Sequence, residues 1–130
     1  SSGMRFHTAV NKFCLNASIG EPITVYKTAL NQFRPYLSLK DAFNVFKFTI
    51  NQDLFKNDIY NALSENCTVN QIIKKIKKFK KKVRIKFVHS EIMNQLSYHV
   101  DKKKLNREGL NLKNKISNDI KDTIKLLKNI

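Results

Sequence analysis

The sequence predicts an α+β fold, dominated by helices around a small sheet, and three observations carry that reading. Apolar residues recur at helical spacing in several separate segments, as at Ile116, Ile120, Ile124 and Leu127. The run Val83–Val88 instead alternates apolar with basic residues, the period of a strand. Hydrophobic residues make up 42% of the 130, including nine Phe, enough to close a core. The predicted core is Phe13, Leu30, Phe33, Phe43, Phe46, Phe48, Ile59, Leu63, Ile73, Ile76, Ile85, Phe87, Ile92, Leu96, Ile116, Ile120 and Ile124. An all-α bundle is the alternative, if 39–50 and 69–88 are both helical.

In chain order, Phe6, Val10, Phe13 and Cys14 set a short amphipathic helix over 5–16. Gly20-Glu21-Pro22 reads as a turn opening a second helix, with Pro22 at its first position and Ile23, Tyr26, Leu30 and Phe33 inward. Ser38 with Asp41 resembles a capping box, so a helical turn is expected from Leu39. Phe46, Phe48 and Ile50 then alternate with Lys47 and Thr49, which predicts a strand over about 44–50. Asn51 caps a helix over about 52–64, with Leu54, Ile59 and Leu63 inward.

Thr68 and Gln71 form another capping-box match ahead of Ile72, Ile73, Ile76 and Phe79, so 69–80 reads as a helix. A strand pairing with 83–88 is the alternative there. Ser90 caps a helix through Ile92, Met93, Leu96 and Val100, ending near 102–104, where cations suit the carbonyl end. Gly109 marks a turn, Leu110–Leu112 a short edge strand, and Ile116–Leu127 a closing helix. From Asn44 onward this order is compatible with a ferredoxin-like split β-α-β layout, which RNA-recognition modules and many unrelated proteins use. The aromatic signature of those modules is not present in Lys82–Val88.

The length suits one domain over 4–130, with a helical part to residue 40 and a basic α+β part from 41. Ser1-Ser2-Gly3 ahead of Met4 reads as a cloning scar. Cys14 and Cys67 stand far apart with no CxxC spacing, as buried free thiols do in a reducing compartment. Two glycosylation-sequon matches, at Asn16 and Asn66, are expected by chance in so Asn-rich a chain. No apolar run reaches membrane-spanning length and no signal peptide is visible, so an intracellular setting, cytoplasmic or nuclear, is expected.

Charge is the strongest functional signal. Residues 1–69 hold seven Lys/Arg against five acids, a balance of +2, whereas residues 70–130 hold eighteen against five, a balance of +13. An AT-rich coding bias inflates lysine, but it would raise both halves alike. Nine basic residues fall within the thirteen positions of Lys74–Lys86, interleaved with apolar residues that keep core spacing. Such a face attracts polyanions. Lysine far outnumbers arginine, which suits phosphate tracking without base readout.

The expectation is therefore a non-enzymatic nucleic-acid-binding protein of low sequence specificity, RNA or single-stranded DNA favoured. The residues expected to bind are Lys74, Lys75, Lys77, Lys78, Lys80, Lys81, Lys82, Arg84, Lys86, Lys102, Lys103, Lys104 and Arg107, with Tyr98 as a stacking ring. The alternative is an adaptor or assembly protein whose basic face docks an acidic partner or an anionic membrane. Self-association through the C-terminal helix is a further expectation. His7, His89 and His99 lack metal-ligand spacing, and acids are too scattered for a paired-carboxylate site. Asp119 and Asp122 read as solvated partners of Lys121 and Lys125. No catalytic residue, metal or cofactor is expected.

Overall fold

The structure, a computed structural model, describes residues 4–54, 57–89 and 97–129. Helix α1 (Ala9–Ile19) stops at Gly20, whose φ of 80° gives the left-handed C-cap that favours glycine. Strand β1 (Ile23–Tyr26) follows, then a 3₁₀ turn (Lys27–Ala29) and strand β2 (Phe33–Tyr36). Helix α2 (Leu39–Asn51) leads to strand β3 (Glu65–Thr68), helix α3 (Val69–Phe79) and strand β4 (Ile85–Val88). Two further helices, α4 (Lys103–Arg107) and α5 (Ile116–Leu126), close the chain with a 3₁₀ turn over Leu127–Asn129. The fold is α+β and helix-dominated, as the sequence predicts.

Among the described residues the strands form two short pairs: β1 runs parallel to β4, and β2 antiparallel to β3. This replaces the ferredoxin-like layout, which needs its strands in one sheet. Helices α1, α3 and α5 pack on one another, and β1 lies against them, so Cys14, Ile23, Ile72, Ile73, Ile76 and Ile120 are buried together. The stripe Ile116, Ile120, Ile124 and Leu127 is part of this core. A self-association seam on that helix is thereby corrected: its apolar side chains are consumed by the chain's own packing.

Helix α3 forms where predicted. Thr68 and Gln71 make the full capping box, and Ile72, Ile73 and Ile76 point inward while Lys74, Lys77 and Lys78 stay exposed. Elsewhere local spacing misleads. The helix predicted through Ile23–Phe33 is strand, turn and strand, because Ile23-Thr24-Val25-Tyr26 is a β-branched and aromatic run with Ile23 and Val25 buried and Thr24 and Tyr26 exposed. The strand predicted over 44–50 is the second half of α2, capped by the Ser38 hydroxyl, which accepts from Asp41 N–H. No helix forms among the described residues of 52–64.

Phe43, Phe46, Ile59 and Phe87, predicted for the core, are exposed. Leu110–Leu112 forms no strand, although Leu112 is buried. Of the helix predicted from Ser90, residues 90–96, with Ile92, Met93 and Leu96, lie outside the described residues; 97–100 is not helical. Among the described residues no helix is long and apolar enough to cross a membrane.

Candidate functional site

The antiparallel pair β2–β3 places Arg34 opposite Cys67 and Phe33 opposite Thr68. Segment 97–100 is drawn against this pair by backbone and amide bonds. Phe33 N–H donates to Ser97 Oγ at 3.0 Å, Tyr98 N–H donates to the Phe33 carbonyl at 3.4 Å, and Asn66 exchanges two hydrogen bonds with the Val100 backbone. The carboxamide of Asn66 thus imitates a strand partner.

Successive strand residues point to opposite sides, so Phe33 and Arg34 each meet a different ring of the incoming segment. The Phe33 and His99 rings lie 4.1 Å apart between centroids, tilted by 40°. The Arg34 guanidinium sits 5.1 Å from the Tyr98 ring centroid. It is aimed by donating Nη1–H to the Phe33 carbonyl at 2.7 Å and Nη2–H to Gln32 Oε1 at 3.1 Å. The result is a half-buried, planar cation flanked by aromatic surface. That combination suits a ligand carrying both a phosphate and a flat ring: the cation attracts phosphate oxygens and the rings take a base.

The chain's two thiols are unreactive. The Cys14 thiol is pushed up to about 12 and the Cys67 thiol to about 11, both chiefly by burial, so neither is a nucleophile at neutral pH. Burial also raises the Tyr36 hydroxyl, with Cys67 adding to the effect and Arg34 opposing it. Among the described residues no cluster of His, Cys, Asp or Glu could hold a metal ion. What the cluster offers is a cation and aromatic rings placed to bind and orient a ligand.

Several residues expected to contact nucleic acid are occupied in holding the fold. Lys75 pairs with Glu65, Lys103 with Asp101 and Lys104 with Asp58, and Lys104 also stacks over Tyr60. Lys102 donates to three main-chain carbonyls, of Leu63, Ser64 and Leu112. Arg84 donates to the Gly20 carbonyl at 2.9 Å. Lys74, Lys77, Lys78, Lys81, Lys82, Lys86 and Arg107 are exposed and Lys80 is half-buried. Tyr98 is the one expected residue drawn into the site, and it stacks on Arg34. Sequence reasoning missed Gln32, Phe33, Arg34, Ser97 and His99. The available signal was an arginine beside an aromatic residue in a chain that uses lysine far more often, which marks a need for fixed geometry.

The expected Asp119 and Asp122 pairing also differs. Asp119 accepts from the Asn114 side chain through both oxygens, and Asp122 pairs with Lys40 at 3.5 Å. Burial raises the Asp119 carboxyl above its ordinary range, against the lowering effect of the Asn114 hydrogen bonds.

No protein-family model matches the chain. Solved structures do. An agreement with a TM-score of 0.83 and 12% identity covers 98% of this chain and 43% of a Burkholderia cenocepacia protein described as an epimerase. RMD of Pseudomonas aeruginosa, solved with NADPH, agrees with a TM-score of 0.78 and 12% identity over 98% of this chain and 44% of its own. The UDP-glucose 4-epimerase of Thermus thermophilus, solved with NAD, agrees with a TM-score of 0.70 and 18% identity over 92% of this chain and 40% of its own.

The chain has the fold of part of these proteins. It spans less than half the length of each. This agreement overturns the expectation of a nucleic-acid-binding module, and equally that of an adaptor for an acidic partner or an anionic membrane. It also overturns the exclusion of an enzyme, since the fold recurs within these epimerases and within the dTDP-glucose 4,6-dehydratase of Bacillus anthracis, solved with NAD, which agrees with a TM-score of 0.69 and 19% identity over 99% of this chain and 41% of its own. The lysine run misled because it reports charge alone.

The residues of this chain do not fit the dinucleotide bound in the structures solved with NAD or NADPH. A pyrophosphate cradle needs a glycine-rich turn between a strand and the start of a helix. The three glycines here, Gly3, Gly20 and Gly109, have no such spacing, and Gly20 ends a helix instead of opening one.

Proposed function

We propose that this chain is the part of an NAD(P)-dependent epimerase- or dehydratase-type enzyme that does not cradle the dinucleotide, and that it contacts a nucleotide-sugar substrate. The observation that carries this reading is the fold agreement over nearly the whole chain, with TM-scores of 0.69 to 0.83. Three of these structures were solved with NAD or NADPH, and two of the proteins are named for UDP-glucose and dTDP-glucose.

The chain's own chemistry supports the substrate half of the reading. A nucleotide sugar presents a diphosphate and a flat base, and the site offers the Arg34 cation with rings at Phe33, Tyr98 and His99. Burial holds the Cys67 thiol and the Tyr36 hydroxyl, both on the strand pair, protonated at neutral pH, so neither supplies a nucleophile or base.

A heteronuclear NMR titration with UDP-glucose, dTDP-glucose and NAD tests this. The expected result is shifts centred on Arg34, Tyr98 and His99 with either nucleotide sugar, and a much weaker response to NAD. Spectra unchanged by millimolar nucleotide sugar, or a response confined to NAD, would overturn the reading.

A further inference from the structure

Tyr98 and His99 are both exposed, so packing does little to fix their rings; the backbone that carries them does. On one side of them, Ser97 Oγ and Tyr98 N–H are bonded to the Phe33 backbone. On the other side the hold is a single carboxamide. Asn66, half-buried on β3, donates Nδ2–H to the Val100 carbonyl at 3.0 Å, and its Oδ1 accepts from Val100 N–H at 3.1 Å. A carboxamide can donate and accept at one residue in this way; aspartate lacks the donor and leucine lacks both groups. Lys102 then ties the following chain to the Leu63 and Ser64 carbonyls, each at 3.3 Å. The Arg34 guanidinium has supports of its own, donating to the Phe33 carbonyl and to Gln32 Oε1 beside it in the chain. The cation and the rings of the site rest on different hydrogen bonds.

We propose that Asn66 is the positioning residue that gives this site its preference for a base-bearing ligand over a bare phosphate. It acts through Val100, presetting Tyr98 and His99 so that the rings stand in place before a base arrives. An exposed segment without that hold would have to be ordered at the moment of binding, and the cost of ordering it would come out of the affinity. That cost falls on ligands that use the rings. A ligand that meets only the Arg34 cation escapes it, because the guanidinium keeps its bonds to Phe33 and Gln32. The inference rests on the nucleotide-sugar reading above and adds the residue that sets its selectivity.

The test is titration of the full chain with two ligands, UDP-glucose and inorganic pyrophosphate, which has the diphosphate without the base. Asn66→Leu is compared with wild type, and the Phe33–His99 ring contact is followed through its nuclear Overhauser effect. The expected result is loss of that contact and UDP-glucose binding weakened about tenfold, the worth of one stacked base, with pyrophosphate binding within about twofold of wild type. Ser97→Ala loosens the same segment at its exposed end, and about threefold weaker UDP-glucose binding with unchanged pyrophosphate binding is expected of it. Should Asn66→Leu fail to fold, Ser97→Ala decides. Equal weakening of both ligands would reduce Asn66 to a structural role and overturn the inference, as would unchanged UDP-glucose binding by a folded variant. Wild type that binds no pyrophosphate at millimolar concentration would also overturn it, since the cation would then have no separate part. Wild type that binds no UDP-glucose would overturn the nucleotide-sugar reading and this inference together, so the two failures are told apart.

Discussion

Asp41 is one of ten acidic residues in a chain of net charge +15, yet it lies in the interior. Its Oδ2 accepts from Ser64 Oγ at 2.6 Å and from Asn114 N–H at 3.2 Å, while Ser64 Oγ in turn accepts from Ser38 N–H. One carboxylate thereby ties the start of α2 to β3's approach and to the segment before α5. Replacing Asp41 with Ala strands these donors, and a loss of about 2–4 kcal/mol in urea unfolding is expected. Lys102→Met should cost about 1–3 kcal/mol by leaving three carbonyls without their cation.

Glu65 gives a pH dependence whose sign can be worked out. Burial pushes its carboxyl up, but hydrogen bonds from Lys75 and from Ile116 N–H outweigh this and hold it below the usual 4.5. The unfolded chain binds the proton more readily, so the stabilisation is fully present above 4.5 and is lost as pH falls through the folded value. Glu65→Gln should therefore destabilise the protein at pH 7 by about 1–3 kcal/mol, with the gap to wild type narrowing below pH 4.5. Asp119 acts in the opposite sense: its raised carboxyl makes ionisation unfavourable to folding, so its protonation on acidification favours the fold.

At the scale of elements, α2 shows both what the sequence discloses and what it hides. Its start is legible, because the Ser38–Asp41 cap is a local signal. Its second half is not: Phe46, Phe48 and Ile50 alternate because both faces of the helix are apolar, and two apolar faces imitate the period of a strand. Helices α3 and α5 have one apolar face each and are read correctly. Pairing β1 with β4 joins residues some sixty positions apart, which no local pattern reports.

Different energies are expected on the two kinds of surface. Phe43→Ser and Phe46→Ser should leave urea-unfolding stability of the chain within about 0.5 kcal/mol of wild type. Ile76→Ala, in the fully buried core, should cost about 2–5 kcal/mol. Equal losses at all three positions would show that the outer face of α2 is already covered by the chain itself.

For the molecule as a whole, charge is legible in the sequence and its purpose is not. The basic half folds so that Lys75, Lys102, Lys104 and Arg84 brace loops and strands, which a count of charges cannot foresee. The candidate site is assembled from β2 and 97–100, segments more than sixty residues apart, so Arg34 and Tyr98 become neighbours only in the fold. At 12–19% identity the relationship to epimerases and dehydratases is carried by backbone geometry and is invisible residue by residue.

The most direct measurement of the central claim is calorimetric titration of UDP-glucose into the wild-type chain and into Arg34→Lys, which keeps the charge but loses the fork. Binding to the variant is expected to be at least tenfold weaker, a difference of about 1.4 kcal/mol, with its urea midpoint nearly unchanged. Equal affinity in the two proteins, or no binding by the wild type, would contradict the account.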